Sequence, residues 1–124
     1  MTREGALMRA LAMVDLGVLS VDDRGRVWRR RRILASGEVR PIHRRRAENA
    51  GGGGYLRITW RDGSRIIQVM AHRLVFALAS GAIPPDCLQV DLRDMNRRNN
   101  SPANLELVTQ SENIRRRVAM RAAA

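Results

Sequence analysis

The stretch Val90-Asp91-Leu92-Arg93-Asp94-Met95-Asn96-Arg97-Arg98-Asn99-Asn100-Ser101-Pro102-Ala103-Asn104-Leu105 decides how the C-terminal part of this chain folds. Its apolar ends extend to residues 87–92 and 105–108, and between them lies a polar loop rich in asparagine and arginine. Short apolar runs bounded by turn-forming residues are typical of strands. Thr109 followed by Glu112 has capping-box spacing, so a helix should begin there and end near Met120. We therefore predict the order strand, loop, strand, helix.

The residues immediately upstream predict a hairpin followed by a helix. Apolar and polar side chains alternate in residues 55–60 and 65–69, as is typical of strands. Asp62-Gly63 between them is a strong hairpin signal. Residues 70–80 have apolar positions at helical spacing, and Gly81 stands where that helix should end.

The first third of the chain predicts one helix and one strand. Apolar residues recur at helical spacing over residues 4–16, before Gly17, and residues 26–33 begin with a β-prone pair. The predicted fold class is α+β. We divide the chain into an N-terminal helix (1–20), an arginine-rich β-hairpin and helix region (21–87) and a final strand, loop, strand and helix motif (88–121). All three parts belong to one domain, because 124 residues support a single core.

The charge of the chain indicates a polyanionic partner. The formal net charge is +11, and all 23 basic side chains are arginines, whose planar guanidinium can hold a phosphate through two hydrogen bonds. Ten of them lie within residues 24–46, against the single acid Glu38. Because aromatic residues make up only 3% of the chain, a stacking surface for single strands is poorly supported, and duplex DNA is the better prediction.

The single cysteine and the short apolar segments limit the cellular compartments in which we expect the protein. Cys87 stands alone, which excludes an internal disulfide and paired CxxC zinc clamps. The apolar run 6–19 is interrupted by Arg9 and Asp15, and it is too short to span a membrane. We expect a cytoplasmic protein without a membrane partner, in the host cytoplasm if a phage encodes it.

Residues 90–117 resemble the ββα-metal motif of the HNH endonucleases. Upstream, residues 25–28, Gly54-Tyr55 and His72-Arg73-Leu74 are similar to the segments that precede this motif in phage and intron members of that family. The resemblance covers roughly residues 16–117. It implies a ββα-metal fold and an origin in a DNA-cutting enzyme.

The resemblance also assigns roles to four positions. Leu92 stands where the family has the histidine that acts as general base, and a hydrocarbon cannot accept a proton. Asp91 and Asn113 stand at the metal-binding positions, and their hard oxygens suit a weakly bound Mg²⁺ or Mn²⁺. Asn104 stands where an asparagine orients the catalytic histidine. An alternative reading gives Asp91 and Asn113 only local hydrogen bonds.

Met95 is a second departure from the family, which usually has glycine there. Methionine tolerates a positive φ poorly, so we expect the loop to be reshaped. Both departures favour a natural pseudo-nuclease, encoded by a phage or mobile element, that binds duplex DNA and cleaves it weakly or not at all. Two alternatives remain. One is an active nicking or homing endonuclease that uses metal-bound water or His72, although His72 fits a structural role better. The other is a phage regulator that contacts a host DNA-processing machine.

The arginines expected to contact DNA lie in four clusters. They are Arg29, Arg30, Arg31 and Arg32; Arg44, Arg45 and Arg46; Arg97 and Arg98; and Arg115, Arg116 and Arg117. Alternation along a strand should bring only half of the first cluster to the nucleic acid. The last cluster must wrap around a helix, so at least one of its arginines should face inward or along a flank.

Overall fold

Three small antiparallel sheets and three α-helices form the part of the chain, residues 2–123, that a computed structural model describes; Met1 and Ala124 lie outside it. The helices are α1 (Arg3–Asp15), α2 (Ala71–Ser80) and α3 (Gln110–Ala123). The strands are β1 (Leu19–Val21), β2 (Val27–Ile33), β3 (Val39–Arg46), β4 (Glu48–Ala50), β5 (Leu56–Asp62), β6 (Arg65–Met70), β7 (Leu88–Leu92) and β8 (Leu105–Thr109). The fold is α+β, as predicted.

Helix α1 closes one side of the core. The hydroxyl of Thr2 accepts a hydrogen bond from the amide of Gly5 at 3.0 Å, which caps the first turn. Its buried face carries Leu7, Ala10 and Met13. The predicted N-terminal helix is confirmed.

The arginine-rich region forms the sheet β1-β2-β3. Strand β2 was predicted, whereas β3 is not evident from the sequence, because its polar side chains are exposed on both faces and hide the alternation. The register places Arg29 opposite Arg45, and Arg32 opposite Arg40. Like charges directly opposite each other destabilise a sheet.

The sheet β4-β5-β6 packs against α2. The predicted hairpin is confirmed as β5 and β6, which meet at the Asp62 to Arg65 pair. Helix α2 ends at Gly81, whose φ of 75° gives the left-handed cap that glycine favours. Leu74 of α2 and Ile58 of β5 are fully buried in the core.

The sheet β7-β8 and helix α3 form the predicted strand, loop, strand and helix. Strand β7 pairs with β8 so that Asp91 lies opposite Glu106 and Leu92 opposite Leu105. The hydroxyl of Thr109 accepts a hydrogen bond from the amide of Glu112 at 3.1 Å, as the capping-box spacing predicts.

One buried hydrophobic cluster joins the three segments. It includes Leu7 of α1, Ile58 of β5 and Leu92 of β7. The three segments share this core, so the boundaries at residues 20 and 87 stay a prediction based on the composition of the sequence. No helix within residues 2–123 is both long and apolar enough to cross a bilayer.

Candidate nuclease pocket and nucleic-acid interface

Asp91 and Asn113 line one pocket of about 260 Å³. Strand β7 positions Asp91, and the first turn of α3 positions Asn113; their exposed fractions are 5% and 8%. Gln89 lies two residues before Asp91 and so on the same face of β7. Its Oε1 accepts a hydrogen bond from Nδ2 of Asn113 at 2.7 Å. The hairpin and the helix thus bring the two predicted metal-binding residues together.

The donor atoms of this pocket suit a hard cation. Oδ1 of Asn113 is buried and accepts no hydrogen bond from residues 2–123. Arg116 occupies one side of the Asp91 carboxylate, with Nη1 at 3.2 Å from Oδ2, and also pairs with Glu106. One carboxylate and one free amide oxygen fit Mg²⁺ or Mn²⁺ if water or phosphate supplies the other ligands. The described residues contain no group of three or more His, Cys, Asp or Glu side chains that could hold a metal unaided.

Leu92 faces the hydrophobic core. Its side chain is 2% exposed and belongs to the buried cluster, and Leu92 is not among the residues that line the pocket. Adjacent residues of a strand point to opposite faces, so Asp91 can face the pocket while Leu92 faces the core. Leu92 therefore contributes packing to this region and no polar atom.

His72, the second residue of α2, lines the same pocket as Asp91 and Asn113. Its ring centroid lies 5.4 Å from that of Tyr55, and its Nδ1 is buried without a partner among residues 2–123. Burial and the nearby charge of Arg73 lower the pKa of His72 to about 4, although Asp91 opposes the shift. The imidazole is therefore neutral at pH 7 and retains a lone pair.

Asn104 stabilises the loop that follows β7. Its Nδ2 donates to Oδ1 of Asp94 at 2.9 Å and to the carbonyl of Asn99 at 2.8 Å, while its Oδ1 accepts from the amide of Asp94 at 3.1 Å. The side chain of Asn99, the amide of Asn96 and the side chain of Asn104 all donate to Asp94 and lower its pKa. In this chain Asn104 organises the loop rather than an imidazole.

Met95 adopts a φ of 61° in this loop. Methionine thus takes the positive φ that its side chain disfavours, and the reshaping of the loop stays a prediction. The hydrogen bonds around Asp94 and Asn104 hold the turn in a shape that methionine must follow.

Tyr55 connects the pocket to two arginines that the sequence places far apart. Its hydroxyl accepts a hydrogen bond from Nη2 of Arg117 at 2.9 Å, and the guanidinium carbon of Arg97 lies 5.0 Å from the centre of its ring. Arg97 also donates to the carbonyl of Gly53. In the sequence, Tyr55 belongs to the Gly54-Tyr55 resemblance, and no spacing rule connects it to Arg117. This cationic rim of Arg97 and Arg117 stands beside the Asp91 pocket.

The sheet β1-β2-β3 provides a second cationic surface. Arg30, Arg31, Arg32, Arg44 and Arg45 are exposed, and no carboxylate of residues 2–123 lies within ion-pair distance of them. Arg44 covers the ring of Trp28 at 4.4 Å. Burial, together with the charge of Arg45, lowers the pKa of Arg29. Arg46 differs from these residues, because its guanidinium makes two hydrogen bonds with Glu48, at 2.7 and 2.8 Å.

The remaining predicted arginines divide between solvent and interior. Arg98 and Arg115 are exposed. Arg116 turns inward to Asp91 and Glu106, as the wrapping of three consecutive arginines around α3 requires for at least one of them. Arg116 is therefore less available to DNA than Arg115 or Arg117.

Comparison with known proteins finds a family model that matches part of the chain. Residues 69–115 match the HNH_3 family, described as HNH endonuclease. The matched residues include the end of β6, all of α2, and the hairpin and first turns of α3 that hold Asp91 and Asn113.

One solved structure has the same fold over most of the chain. It is described as "DNA binding and cleavage by the HNH homing endonuclease I-HmuI", and it matches with a TM-score of 0.55 and 28% identity over 84% of this chain. The chain spans about half the length of that endonuclease, 53% of it. No curated protein matches the chain. The chain thus has a fold similar to that of an HNH homing endonuclease.

Proposed function

We propose that this protein binds duplex DNA through an HNH-derived scaffold whose cleavage activity is lost or very weak. The observation that carries the proposal is the cationic rim beside the Asp91 pocket. Leu92, at the position where the resemblance places the general base, packs into the core outside that pocket and offers no proton acceptor. Without a positioned base, hydrolysis slows by on the order of a hundred- to ten-thousand-fold. Phosphate binding does not need that base, so affinity for DNA can persist.

Charge on two surfaces supports duplex binding. Arg97 and Arg117 stand beside the pocket, while the exposed arginines of β2 and β3 face one another across the strands. The repulsion between Arg29 and Arg45 would be relieved by a phosphate placed near both. A DNA backbone supplies such phosphates at regular intervals.

Asp91 and Asn113 would hold a divalent cation if one binds. Such a cation would stabilise negative charge on a bound phosphate. Asn113 offers its unpaired Oδ1, which Gln89 orients through the opposite end of the amide. Arg116 competes for the Asp91 carboxylate, so cation affinity without DNA should be low.

A second candidate function is weak nicking with His72 as the base. It is favoured by one observation, the neutral imidazole of His72 in the same pocket as Asp91 and Asn113. Its Nδ1 has no hydrogen-bond partner within residues 2–123, so no described residue occupies that position of the ring. A neutral imidazole with a free lone pair is the form that a general base requires.

Supercoiled plasmid incubated with Mg²⁺ or Mn²⁺ separates the two functions. The pseudo-nuclease proposal predicts duplex binding in fluorescence anisotropy and no nicked circle above the level of an Asp91→Asn preparation purified in parallel. Nicking that disappears in both Asp91→Asn and His72→Gln, but persists in the exposed-site control Arg61→Met, would establish the enzyme instead. Failure to bind duplex DNA at low salt would contradict both.

A further inference from the structure

The guanidinium of Arg73 is buried without a hydrogen-bond partner. Arg73 is 4% exposed, and its Nε, Nη1 and Nη2 atoms contact neither solvent nor an acceptor within residues 2–123. A buried guanidinium keeps its charge, and leaving such a charge unpaired is strongly unfavourable. The guanidinium of Arg73 therefore presents free donors to an acceptor group.

A cavity of about 150 Å³ adjoins this guanidinium and is lined by two further arginines. Arg3, Arg57 and Arg73 share it with Gln68, Val69 and Met70. Nε of Arg57 is also buried and unpaired in the described chain, and its Nη1 donates to Oε1 of Gln68 at 3.3 Å. Three cationic side chains from α1, β5 and α2 therefore converge on one small space.

Arg3 is the one arginine of this cluster with an acidic partner among the described residues. Its Nη2 lies 3.9 Å from Oδ1 of Asp86, and most of the Asp86 side chain is exposed. Within residues 2–123, no carboxylate is within ion-pair distance of Arg57 or Arg73. Burial, and the charge of Arg3, lower the pKa of Arg73, while the charges of Asp86 and Glu4 oppose the shift.

We propose that Arg3, Arg57 and Arg73 form a binding site for a single phosphate group. Two planar guanidiniums with unpaired donors match the tetrahedral array of acceptor oxygens that phosphate presents. The cavity shares Arg3, Met70 and Arg73 with the Asp91 pocket, so a phosphate of a bound DNA strand can enter it from there. That source of phosphate rests on the proposed function, whereas free inorganic phosphate does not depend on it.

Thermal unfolding in inorganic phosphate tests the site directly. At pH 7 and constant ionic strength, replacing chloride by phosphate should raise the Tm of the full chain saturably, by roughly 5 °C. Arg73→Met, which preserves an apolar stem of similar length, should lose the saturable rise, and the exposed control Arg61→Met should keep it. Equal phosphate responses in all three proteins would overturn the proposal.

Gly51→Ala provides a second test that leaves Arg73 in place. An added Cβ at Gly51 would lie 2.6 Å from Nε of Arg57, so that guanidinium must move, while the φ of −98° and ψ of −172° suit alanine. The phosphate response should weaken at least threefold in apparent affinity. If Gly51→Ala binds phosphate as tightly as the wild type, and Arg73→Met does not fold, the proposal fails.

Duplex binding by the same variants identifies the source of the phosphate. A loss of about tenfold or more in duplex affinity for Arg73→Met, with Arg61→Met within about threefold of wild type, assigns the site to the DNA backbone. If Arg73→Met binds duplex as Arg61→Met does but lacks the Tm response, the site takes free phosphate. A wild type that responds to phosphate and binds no duplex would refute the proposed function and leave this site standing.

Discussion

Met95 holds a conformation that its side chain disfavours. Its φ of 61° is the only positive value at a non-glycine residue within residues 2–123. The left-handed conformation costs an L-residue roughly 1–2 kcal/mol, and glycine avoids most of that cost. The strain is therefore local to one residue.

Met95→Gly should raise the free energy of unfolding by about 1 kcal/mol, because relief of this strain exceeds the added entropy of the unfolded chain. Met95→Ala is the matched control, since alanine keeps the Cβ and should give no gain. Urea denaturation measures both. Equal stability of the two variants would contradict the strain at position 95.

Leu92 contributes core packing, so its replacement by histidine should destabilise the fold. Leu92→His loses apolar contacts and buries a polar ring beside Leu105, which should lower the free energy of unfolding by about 2–4 kcal/mol. Leu92→Met conserves volume and should cost less than about 1.5 kcal/mol. A fully stable Leu92→His would contradict the core position of this residue. Nicking gained by Leu92→His alone would establish position 92 as that of the missing base.

At the scale of elements, the turn between β1 and β2 is attached to the loop after β7. A Cβ at Gly25 would lie 1.8 Å from the carbonyl oxygen of Asn100, and the hydroxyl of Ser101 donates to the carbonyl of Arg24 at 3.2 Å. The arginine-rich sheet is thereby positioned relative to the loop that follows Asp91 and Leu92. The φ of 75° at Gly25 also favours glycine.

Gly25→Ala should lower the free energy of unfolding by about 3 kcal/mol or more, because neither backbone can yield without disrupting this contact. Gly37→Ala is the control, since Gly37 has a φ of 87° and no atom within 4 Å of the added Cβ. It should lose only about 1 kcal/mol. Similar losses in the two variants, measured by thermal or urea unfolding, would show that the contact between Gly25 and Asn100 does not contribute to the free energy of unfolding.

The loop around Asp94 should make stability sensitive to acid. Hydrogen bonds from Asn99, Asn96 and Asn104 lower the pKa of Asp94 in the folded state. A group whose pKa falls on folding stabilises the protein above its unfolded pKa, here about 3.9, and that contribution is lost as pH falls through the folded pKa.

Asp94→Asn should therefore be less stable than wild type at pH 7, with a smaller fall in stability between about pH 5 and pH 2. Asp23→Asn changes an exposed aspartate of another turn and should keep the wild-type profile. Urea unfolding across this pH range provides the measurement. Parallel profiles for wild type and Asp94→Asn would show that Asp94 does not contribute to the loss of stability in acid.

At the scale of the whole molecule, the net charge of +11 should govern DNA affinity. If about six phosphates are neutralised, the logarithm of the duplex association constant should fall with the logarithm of salt concentration with a slope of roughly −5. Anisotropy titrations between about 50 and 200 mM salt measure this slope. A slope near zero would contradict a complex held by phosphate contacts.

The local elements were predictable where side-chain spacing is regular. The hairpin at Asp62-Gly63, the glycine-capped helix α2 and the Thr109 cap of α3 all follow short-range rules, and all are confirmed. Strand β3 was not predictable, because the partner strand β2, rather than a burial pattern, selects its extended conformation. The left-handed Met95 was not predictable either, since the loop imposes it against the preference of the residue.

The sequence alone determined that this chain is a cationic α+β protein with an HNH-like hairpin and helix, and that position 92 carries no proton acceptor. These features depend on residue type and on spacings of a few residues. Only the tertiary structure decided that His72 and Tyr55 join the Asp91 pocket, and that Arg73 is buried without a partner beside Arg57. Such contacts are set by how helices and strands distant in sequence pack around one core, and short-range spacing does not encode that packing.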